Sequence, residues 1–300
     1  MPQVMRFLPK ADLLTAGEID ALVDRFVDRG VSRIRLTGGE PLVRKDFAEI
    51  AKAVARRLGS GLEELTLTTN GTQLARYADM LAKIGVERIN VSIDTLDENN
   101  FREITRGGDL SQVLGGVNAA RRGGLAVKIN MVALKGFNQD QLLPMVDYCE
   151  AHGLDLTLIE AMPLGESHDF DRTRFIALED FIAPLVWHHP LRPSPHRSSG
   201  PARYFTLQDR TLQLGLITPL SDNFCAGCDR IRLTANGRIY MCLGREDCVD
   251  LGSALRDGDP IELDRLIDGA LAMKPKAHDF LAAHASKTPA VSRSMSMTGG

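Results

Sequence analysis

The chain has 300 residues, of which 44% are hydrophobic, and a formal net charge of −3 at pH 7. This length allows one large domain or two ordinary ones, each with a buried core. The near-neutral charge argues against a nucleic-acid polymer as a partner, and no apolar run is long enough to span a bilayer, so we expect a soluble, cytoplasmic protein with no membrane partner.

Strand and helix patterns alternate through the first half of the chain. The chain opens on a helix that Thr15 and Glu18 begin with a capping box, and a strand pattern follows at residues 33–36. Further crossovers recur at about thirty residues, which is the length of a βαβ unit and predicts a parallel sheet. The other predicted strands of this sheet lie at residues 64–68, 88–93, 127–133 and 154–160.

Polar residues cluster at the carboxyl ends of these strands, where parallel sheets carry their chemistry. They comprise the segment Gly38-Gly39-Glu40-Pro41, the turn at residues 68–71, Ser92 and Met162. Each is weak alone, since a double glycine is commonly an ordinary turn and a methionine at a strand end is commonly core. Lys128 is more informative, because a lysine in a buried strand is costly without an anionic partner.

The composition changes after an amphipathic helix predicted at residues 175–188. Residues 190–201 are rich in Pro, Ser and Arg and predict a linker or surface loop. Short strand patterns, a helix at residues 259–271 and a tail that ends in a double glycine follow. We therefore expect two domains, residues 1–190 and residues 191–300.

Residues 224–242 form the most informative stretch of the chain. Cys225, Cys228 and Cys242 follow a C-x2-C-x13-C pattern. The Asn236-Gly237 pair predicts the turn of a hairpin whose second arm brings the third cysteine back toward the first two. The pattern therefore predicts one metal centre held by three thiolates.

The identity of this centre stays open from spacing alone. Three cysteines suit a four-iron cluster that leaves one iron open, and they are one short of a closed zinc site that Cys248 would complete. Cys149 lies in a predicted helix and is expected to be a buried small hydrophobe. Arg230 and Arg232 alternate onto one face of the hairpin, where their guanidinium groups would favour phosphate or carboxylate.

Together these segments resemble the GTP 3′,8-cyclases of molybdenum-cofactor biosynthesis, which are radical S-adenosylmethionine (SAM) enzymes. The resemblance runs from Leu8 to the terminal double glycine, and the order of the motifs makes it specific. The segments that carry it are Ile34–Pro41, Leu67–Gly71, Ile89–Asp94, Lys128–Asn130, Ile159–Met162 and Phe224–Leu243. The resemblance implies an α/β fold, an incomplete (β/α)6 radical SAM barrel followed by a C-terminal iron–sulfur cluster domain.

The resemblance also implies a role for each matching residue. The contacts with SAM would be Gly39, Ser92 and Met162, with Glu40 near its amine. The contacts with GTP would be Arg35, Thr68, Lys128, Arg230 and Arg232. The ligands of a [4Fe–4S] cluster whose open iron meets the guanine would be Cys225, Cys228 and Cys242. The double-glycine tail would insert toward the active site.

The implied reaction converts GTP to (8S)-3′,8-cyclo-7,8-dihydroguanosine 5′-triphosphate. An adenosyl radical would abstract hydrogen from ribose C3′, and the C3′ radical would attack guanine C8. The implied partners, besides GTP, are a reductant protein and the downstream cyclic pyranopterin monophosphate synthase, and the family is compatible with a homodimer.

One departure from the family concerns the start of the chain. The family carries a C-x3-C-x2-C motif just upstream of the position of Met1, and its three thiolates hold the cluster that cleaves SAM. We therefore expect the first barrel strand and the radical-generating ligands to be missing, with a second [4Fe–4S] cluster only if that segment is present. The alternatives are a non-catalytic remnant that binds GTP and one cluster, another radical SAM enzyme with an auxiliary cluster, and a zinc-binding structural module.

Overall fold

The computed structural model describes residues 8–165, 172–198, 200–222, 224–286 and 288–299. The expectations about the start of the chain concern residues 1–7 and what precedes them, and they lie outside the described residues, as does Gly300. Of the helices that the structure describes, none has the length and apolar character needed to cross a membrane.

The helices and strands follow the predicted alternation. The helices are α1 (Ala16–Val27), α2 (Phe47–Ala55), α3 (Leu74–Lys83), α4 (Glu98–Thr105), α5 (Leu110–Arg122), α6 (Leu142–Ala151), α7 (Leu178–His188), α8 (Leu251–Asp257), α9 (Pro260–Ala272), α10 (Phe280–Ser286) and α11 (Met295–Thr298). The strands are β1 (Arg33–Leu36), β2 (Glu64–Thr69), β3 (Arg88–Ser92), β4 (Ala126–Ala133), β5 (Asp155–Glu160), β6 (Leu191–Pro193), β7 (Arg203–Leu207), β8 (Gln213–Ile217), β9 (Arg232–Leu233), β10 (Arg238–Tyr240) and β11 (Cys248–Asp250).

Two compact units make up the chain. Among the described residues, the first unit comprises those within 8–65, 163–165 and 225–299, and the second comprises those within 66–162 and 172–224. Each unit therefore collects stretches that are distant in the sequence. The predicted division into consecutive domains at residue 190 remains a prediction, because these units group residues by contact and not by chain order.

The second unit is built on a mostly parallel sheet. Its strands lie in the order β2-β3-β4-β5-β8-β7-β6. The boundary between the two units falls within β2, after Leu65. Strands β2 to β5 run parallel to one another, as the crossover lengths predict. Strand β8 pairs parallel with β5, and β7 and β6 add an antiparallel edge beyond it. Strand β8 follows the predicted linker, so the sheet continues beyond it.

The strands of this sheet alternate between apolar and polar side chains. Fully buried apolar residues, such as Leu67, Ile89, Ile129 and Leu156, are flanked along their strands by Thr, Asn, Lys and Asp. Successive side chains of a strand point to opposite faces, so one face of the sheet is apolar and the other polar. The polar face is the one available for chemistry.

The first unit joins the N-terminal region of the chain to its C-terminal region. The predicted capping box at Thr15 and Glu18 is confirmed, with hydrogen bonds of 2.6 and 3.2 Å. The buried core of this unit combines residues of α1, the hairpin, α8 and α9; among them are Leu22, Phe26, Ile239, Met241, Leu251 and Ile267. Burial of this shared apolar surface holds the cysteine hairpin against the first helix.

Charged pairs reinforce the contact between α1 and α9. The guanidinium group of Arg29 bonds to Asp264 at 2.9 Å and to Asp268 at 2.6 Å. Arg25 adds a second bond to Asp264 at 2.5 Å. These residues lie more than two hundred positions apart, so local sequence patterns do not predict the pairing.

The cysteine hairpin forms as predicted, although its strands are shorter. β9 pairs antiparallel with β10, and β11 joins on the other side of β10 to make a three-stranded sheet. Gly237 makes the turn with a φ of +83°, and its carbonyl accepts hydrogen bonds from Leu251 and Gly252 at the start of α8. The turn is therefore packed against a helix and not free in solvent.

Replacing Gly237 with alanine should destabilise the first unit by about 3 kcal/mol or more. The backbone at this position is left-handed, which is unfavourable for alanine. The new Cβ would also lie only 2.6 Å from Gly252 Cα and 2.7 Å from Gly252 N. Gly258→Ala is the matched control, because its φ of +77° is similar but nothing lies within 4 Å of the new Cβ. Urea denaturation should show the control losing only about 1 kcal/mol. Equal losses of unfolding free energy in the two variants would show that the contact between Gly237 and the start of α8 does not contribute to stability.

Candidate functional site

The first two hairpin cysteines lie on one tight turn. Cys225 begins a single 3₁₀ turn, and Cys228 N donates to Cys225 O at 3.0 Å. Burial raises the pKa of the Cys228 thiol, but Arg230, whose Nη2 lies 3.5 Å from the sulfur, outweighs it and leaves the pKa lowered. The thiolate is the metal-binding form of cysteine, so this cation prepares Cys228 as a ligand.

The donor set of the hairpin fits an iron–sulfur cluster. Cys225, Cys228 and Cys242 are all half-buried, and a cationic side chain stands beside the thiols. Thiolates in an electropositive, partly exposed setting are the usual ligands of such clusters. In the described part of the chain, no three or more His, Cys, Asp or Glu side chains converge closely enough to hold a single metal ion. Each thiolate of a four-iron cluster binds a different iron, so a cluster does not require the three sulfurs to meet at one ion.

The other two cysteines have different surroundings. Cys248 is exposed and its thiol hydrogen-bonds with the side chain of Tyr240, its partner across β10 and β11. Cys149 is buried, as predicted, and burial raises the pKa of its thiol.

The predicted substrate arginines of the first unit meet beside the cysteines. Burial is the main cause that lowers the pKa of Arg232 to about 10, and the neighbouring charges of Arg230 and Arg35 add to it. The thiols of Cys228 and Cys242 act in the opposite direction and raise the pKa of Arg232, so both thiols lie near its guanidinium group. The Nε of Arg232 is buried and has no hydrogen-bond partner among the residues that the structure describes. Such a group of cations favours an anionic ligand.

Lys274 holds the two arms of the hairpin together. Its Nζ donates to Arg230 O at 2.7 Å and to Met241 O at 2.9 Å. One ammonium group thus bridges the arginine after the second cysteine and the residue before the third. Sequence reasoning missed this residue, because nothing in its local pattern marks it.

Gly299, the described glycine of the C-terminal pair, lies against Thr37 in the first unit. Gly299 has a φ of +73°, and a Cβ at this position would collide with the side chain of Thr37. Thr37 directly precedes Gly38-Gly39-Glu40, and Glu40 Oε1 accepts a hydrogen bond from Leu42 N at 3.0 Å. Gly299 therefore lies next to the loop that was predicted to contact SAM.

In the second unit, strand register aligns the polar residues in rows. Thr68 pairs with Asn90, and Asn90 pairs with Lys128, so the three side chains share one face. Asn90 Nδ2 lies 3.5 Å from Thr68 Oγ1. The next row contains Ser92, Asn130 and Thr157 in the same way.

Several atoms of this polar face are buried without a partner. Asn90 Oδ1, Asn130 Oδ1 and Thr157 Oγ1 make no hydrogen bond to any residue that the structure describes. Buried polar groups are normally paired, so unsatisfied ones on a common face indicate a polar ligand. Sequence reasoning found Thr68 and Lys128 but not Asn90, whose only signal is a polar side chain between the buried Ile89 and Val91.

Lys128 is fixed by an aromatic residue from the antiparallel edge. Its side chain is only 6% exposed, and Nζ donates to Tyr204 Oη at 3.0 Å. Tyr204 Oη in turn donates to Ser198 Oγ at 3.0 Å. These two bonds hold the lysine side chain in place on the polar face of the sheet.

The end of β3 combines an exposed polar residue with a desolvated acid. Ser92 is exposed, and burial raises the pKa of Asp94 to about 6. Asp94 Oδ1 accepts a hydrogen bond from Val132 N at 2.8 Å, which ties this end to the neighbouring strand. Met162 is half-buried just beyond β5.

The predicted site residues therefore fall into two groups. The first unit carries Arg35, Gly39, Glu40, Cys225, Cys228, Arg230, Arg232 and Cys242. The second unit carries Thr68, Ser92, Lys128 and Met162.

Two family models match the chain and together span most of it. Residues 2–149 match the radical SAM superfamily. Residues 154–280 match the family described as Molybdenum Cofactor Synthesis C. The second match covers the cysteine hairpin, Arg230, Arg232 and Lys274, and the first match covers Arg35.

Relatives and solved structures agree with these models. The chain is 50% identical to a GTP 3′,8-cyclase of Brucella canis and 51% identical to one of Paracoccus denitrificans, over its whole length and 88% of each relative. In fold it is similar to Streptococcus suis SuiB bound to S-adenosylmethionine, with a TM-score of 0.61 and 16% identity over 97% of this chain and 72% of that one. This last likeness shows the fold alone.

Proposed function

Since the chain belongs to the GTP 3′,8-cyclase family of radical SAM enzymes, we propose that the cysteine hairpin and the three arginines beside it form the end of the active site that binds GTP. The family, the α/β radical SAM fold with its C-terminal domain and the activity predicted from the sequence are confirmed by relatives that match the whole of this chain and by both family models. The predicted absence of the first barrel strand remains a prediction. GTP is the substrate, and SAM and [4Fe–4S] chemistry supply the radical reaction.

The observation that carries this proposal is the setting of Arg232. Arg232 is half-buried beside two like charges and two thiols, and its buried Nε has no partner in the described part of the chain. A partly buried cation in such company is costly unless an anion accompanies it. A triphosphate and a cluster held by thiolates would both supply that negative charge. We assign Cys225, Cys228 and Cys242 to the cluster.

The residues of the second unit complete the assignment. Thr68 and Lys128 would hold GTP, as the row that they form with the buried Asn90 supports. Ser92 and Met162 would contact SAM, because both lie at the carboxyl ends of parallel strands, where such sheets bind ligands. In the first unit, Gly39 and Glu40 would contact the SAM amino-acid end from the loop that follows β1.

The wider setting follows from the family and completes the proposal. A reductant protein would supply electrons, and a cyclic pyranopterin monophosphate synthase would take the product. We place the protein in the cytoplasm and allow it to form a homodimer. Both reactants of the cyclisation, ribose C3′ and guanine C8, belong to one GTP molecule, so the described residues need only to orient it and neutralise its charge.

Ligand selectivity of the iron-loaded chain tests this proposal. Equilibrium dialysis under anaerobic conditions should show GTP binding at least about a hundredfold more tightly than guanosine, because several charged contacts each contribute about 1.5–3 kcal/mol. ATP should bind more weakly than GTP, since we place the guanine at the cluster. Equal affinity for GTP and guanosine would exclude the arginines and Lys128 as triphosphate ligands.

A further inference from the structure

We propose that Arg293 is a positioning residue that fastens the C-terminal tail to the loop carrying Cys242. The inference rests on the proposed cluster at the hairpin, because it gives the tail a fixed place relative to a cluster ligand. Arg293 lies outside the motifs that identified the family and makes no contact assigned to GTP or SAM.

The guanidinium group of Arg293 is held from three sides. Its Nη2 donates to Cys242 O at 3.1 Å and to Leu243 O at 2.8 Å. Its Nη1 donates to Glu246 Oε2 at 2.6 Å, and its Cζ lies 4.1 Å from the centre of the Tyr240 ring. The side chain is only 4% exposed. A planar, forked cation can make all these contacts at once, whereas a lysine ammonium cannot.

Glu246 holds the backbone of the tail as well as the arginine. Its Oε1 accepts hydrogen bonds from Ser292 N at 2.6 Å and from Ser292 Oγ at 3.1 Å. Residues 242–246 therefore accept hydrogen bonds from two consecutive tail residues, Ser292 and Arg293, through one carboxylate and two backbone carbonyls. The tail cannot shift without disturbing the peptide of the third cysteine.

The tail continues from this anchor to the glycine that packs on Thr37. Arg293 O accepts a hydrogen bond from Gly165 N at 3.2 Å, and Met297 N bonds to Ser294 O at 3.0 Å in the short helix α11. Gly299 then lies against Thr37 at the entrance of the double-glycine loop. Arg293 is thus the buried charged anchor between the cysteine loop and the end of the tail.

Hydrogen exchange at the amides of residues 290–299 tests the proposal on the full chain, with and without iron. Arg293→Ala should speed exchange in this segment by about tenfold to a hundredfold, because charged hydrogen bonds to it are lost. Iron content, visible absorption and the melting temperature of the iron-loaded chain should stay close to those of the parent. Arg293→Lys should restore part of the protection.

The neighbouring arginine provides a matched control. Arg245 bonds to Asp279 at 3.0 Å and to Ala277 O at 3.2 Å, so Arg245→Ala removes similar contacts without touching the tail, and its tail should exchange as in the parent. An unchanged rate of amide exchange in Arg293→Ala would overturn the proposal. A fall in iron content or in melting temperature that accompanies the faster exchange would also overturn it, because the residue would then stabilise the whole unit. If the parent binds no iron, the cluster assignment is wrong. The role of Arg293 is then tested by comparing amide exchange of the tail between the iron-free parent and the iron-free variants.

Discussion

Replacing Cys225 with alanine should abolish iron binding at the hairpin. The parent chain, reconstituted anaerobically with iron and sulfide, should hold about four irons at this site and show the broad visible absorption of a [4Fe–4S] cluster. A cluster that already leaves one iron without a protein ligand keeps only two thiolates in this variant. We therefore expect the site to lose its iron, measured by metal analysis and absorption.

Cys248→Ala is the matched control for this loss. Cys248 is exposed and hydrogen-bonds with Tyr240, so its removal should leave the iron content unchanged. Zinc as the only metal in the parent chain, without visible absorption, would contradict the cluster assignment. A Cys225→Ala chain that keeps its full iron content would contradict the ligand assignment.

Replacing Lys128 with methionine should weaken GTP binding about tenfold to a hundredfold, because one charged contact contributes about 1.5–3 kcal/mol. Guanosine, which has no phosphate, should bind almost as well as to the parent. Methionine keeps the length of the buried side chain, so the fold is disturbed less than by alanine. Titration calorimetry with both ligands measures the difference.

Lys135→Met controls for a general loss of positive charge in the same unit. Lys135 is exposed in the loop after β4, so its replacement should leave both affinities unchanged. An equal loss of GTP and guanosine binding in Lys128→Met would show that Lys128 maintains the polar face or contacts the base. Tyr204 would then be the partner that explains its burial, because Lys128 Nζ lies 3.0 Å from Tyr204 Oη.

Local patterns predicted the elements of this fold well. The capping box at Thr15 and Glu18, the hairpin turn at Gly237 and the parallel crossovers each depend on neighbouring residues, so the sequence carries them directly. Helix α4 was missed because its sequence is strongly polar, and α8 because it is only two turns long.

Contacts between distant segments could not be predicted in this way. The pairing of Arg29 with Asp264, and of Arg293 with the carbonyl of Cys242, joins residues that share no local pattern. The same limit applied to Lys274 and Asn90, whose roles follow from hairpin geometry and from strand register. Matching motifs supplied the proposed site residues, whereas the residues that position them emerged only from the fold.

Electron paramagnetic resonance of the reduced, iron-loaded chain is the most direct test of the proposed hairpin site. If the hairpin cluster lies where GTP binds, adding GTP should change the g-values of its signal, and guanine labelled with ¹⁵N should show whether a base nitrogen meets the open iron. ATP should leave the signal as it is. A signal that GTP does not alter, at a concentration that saturates binding, would contradict the placement of the substrate at the cysteine hairpin.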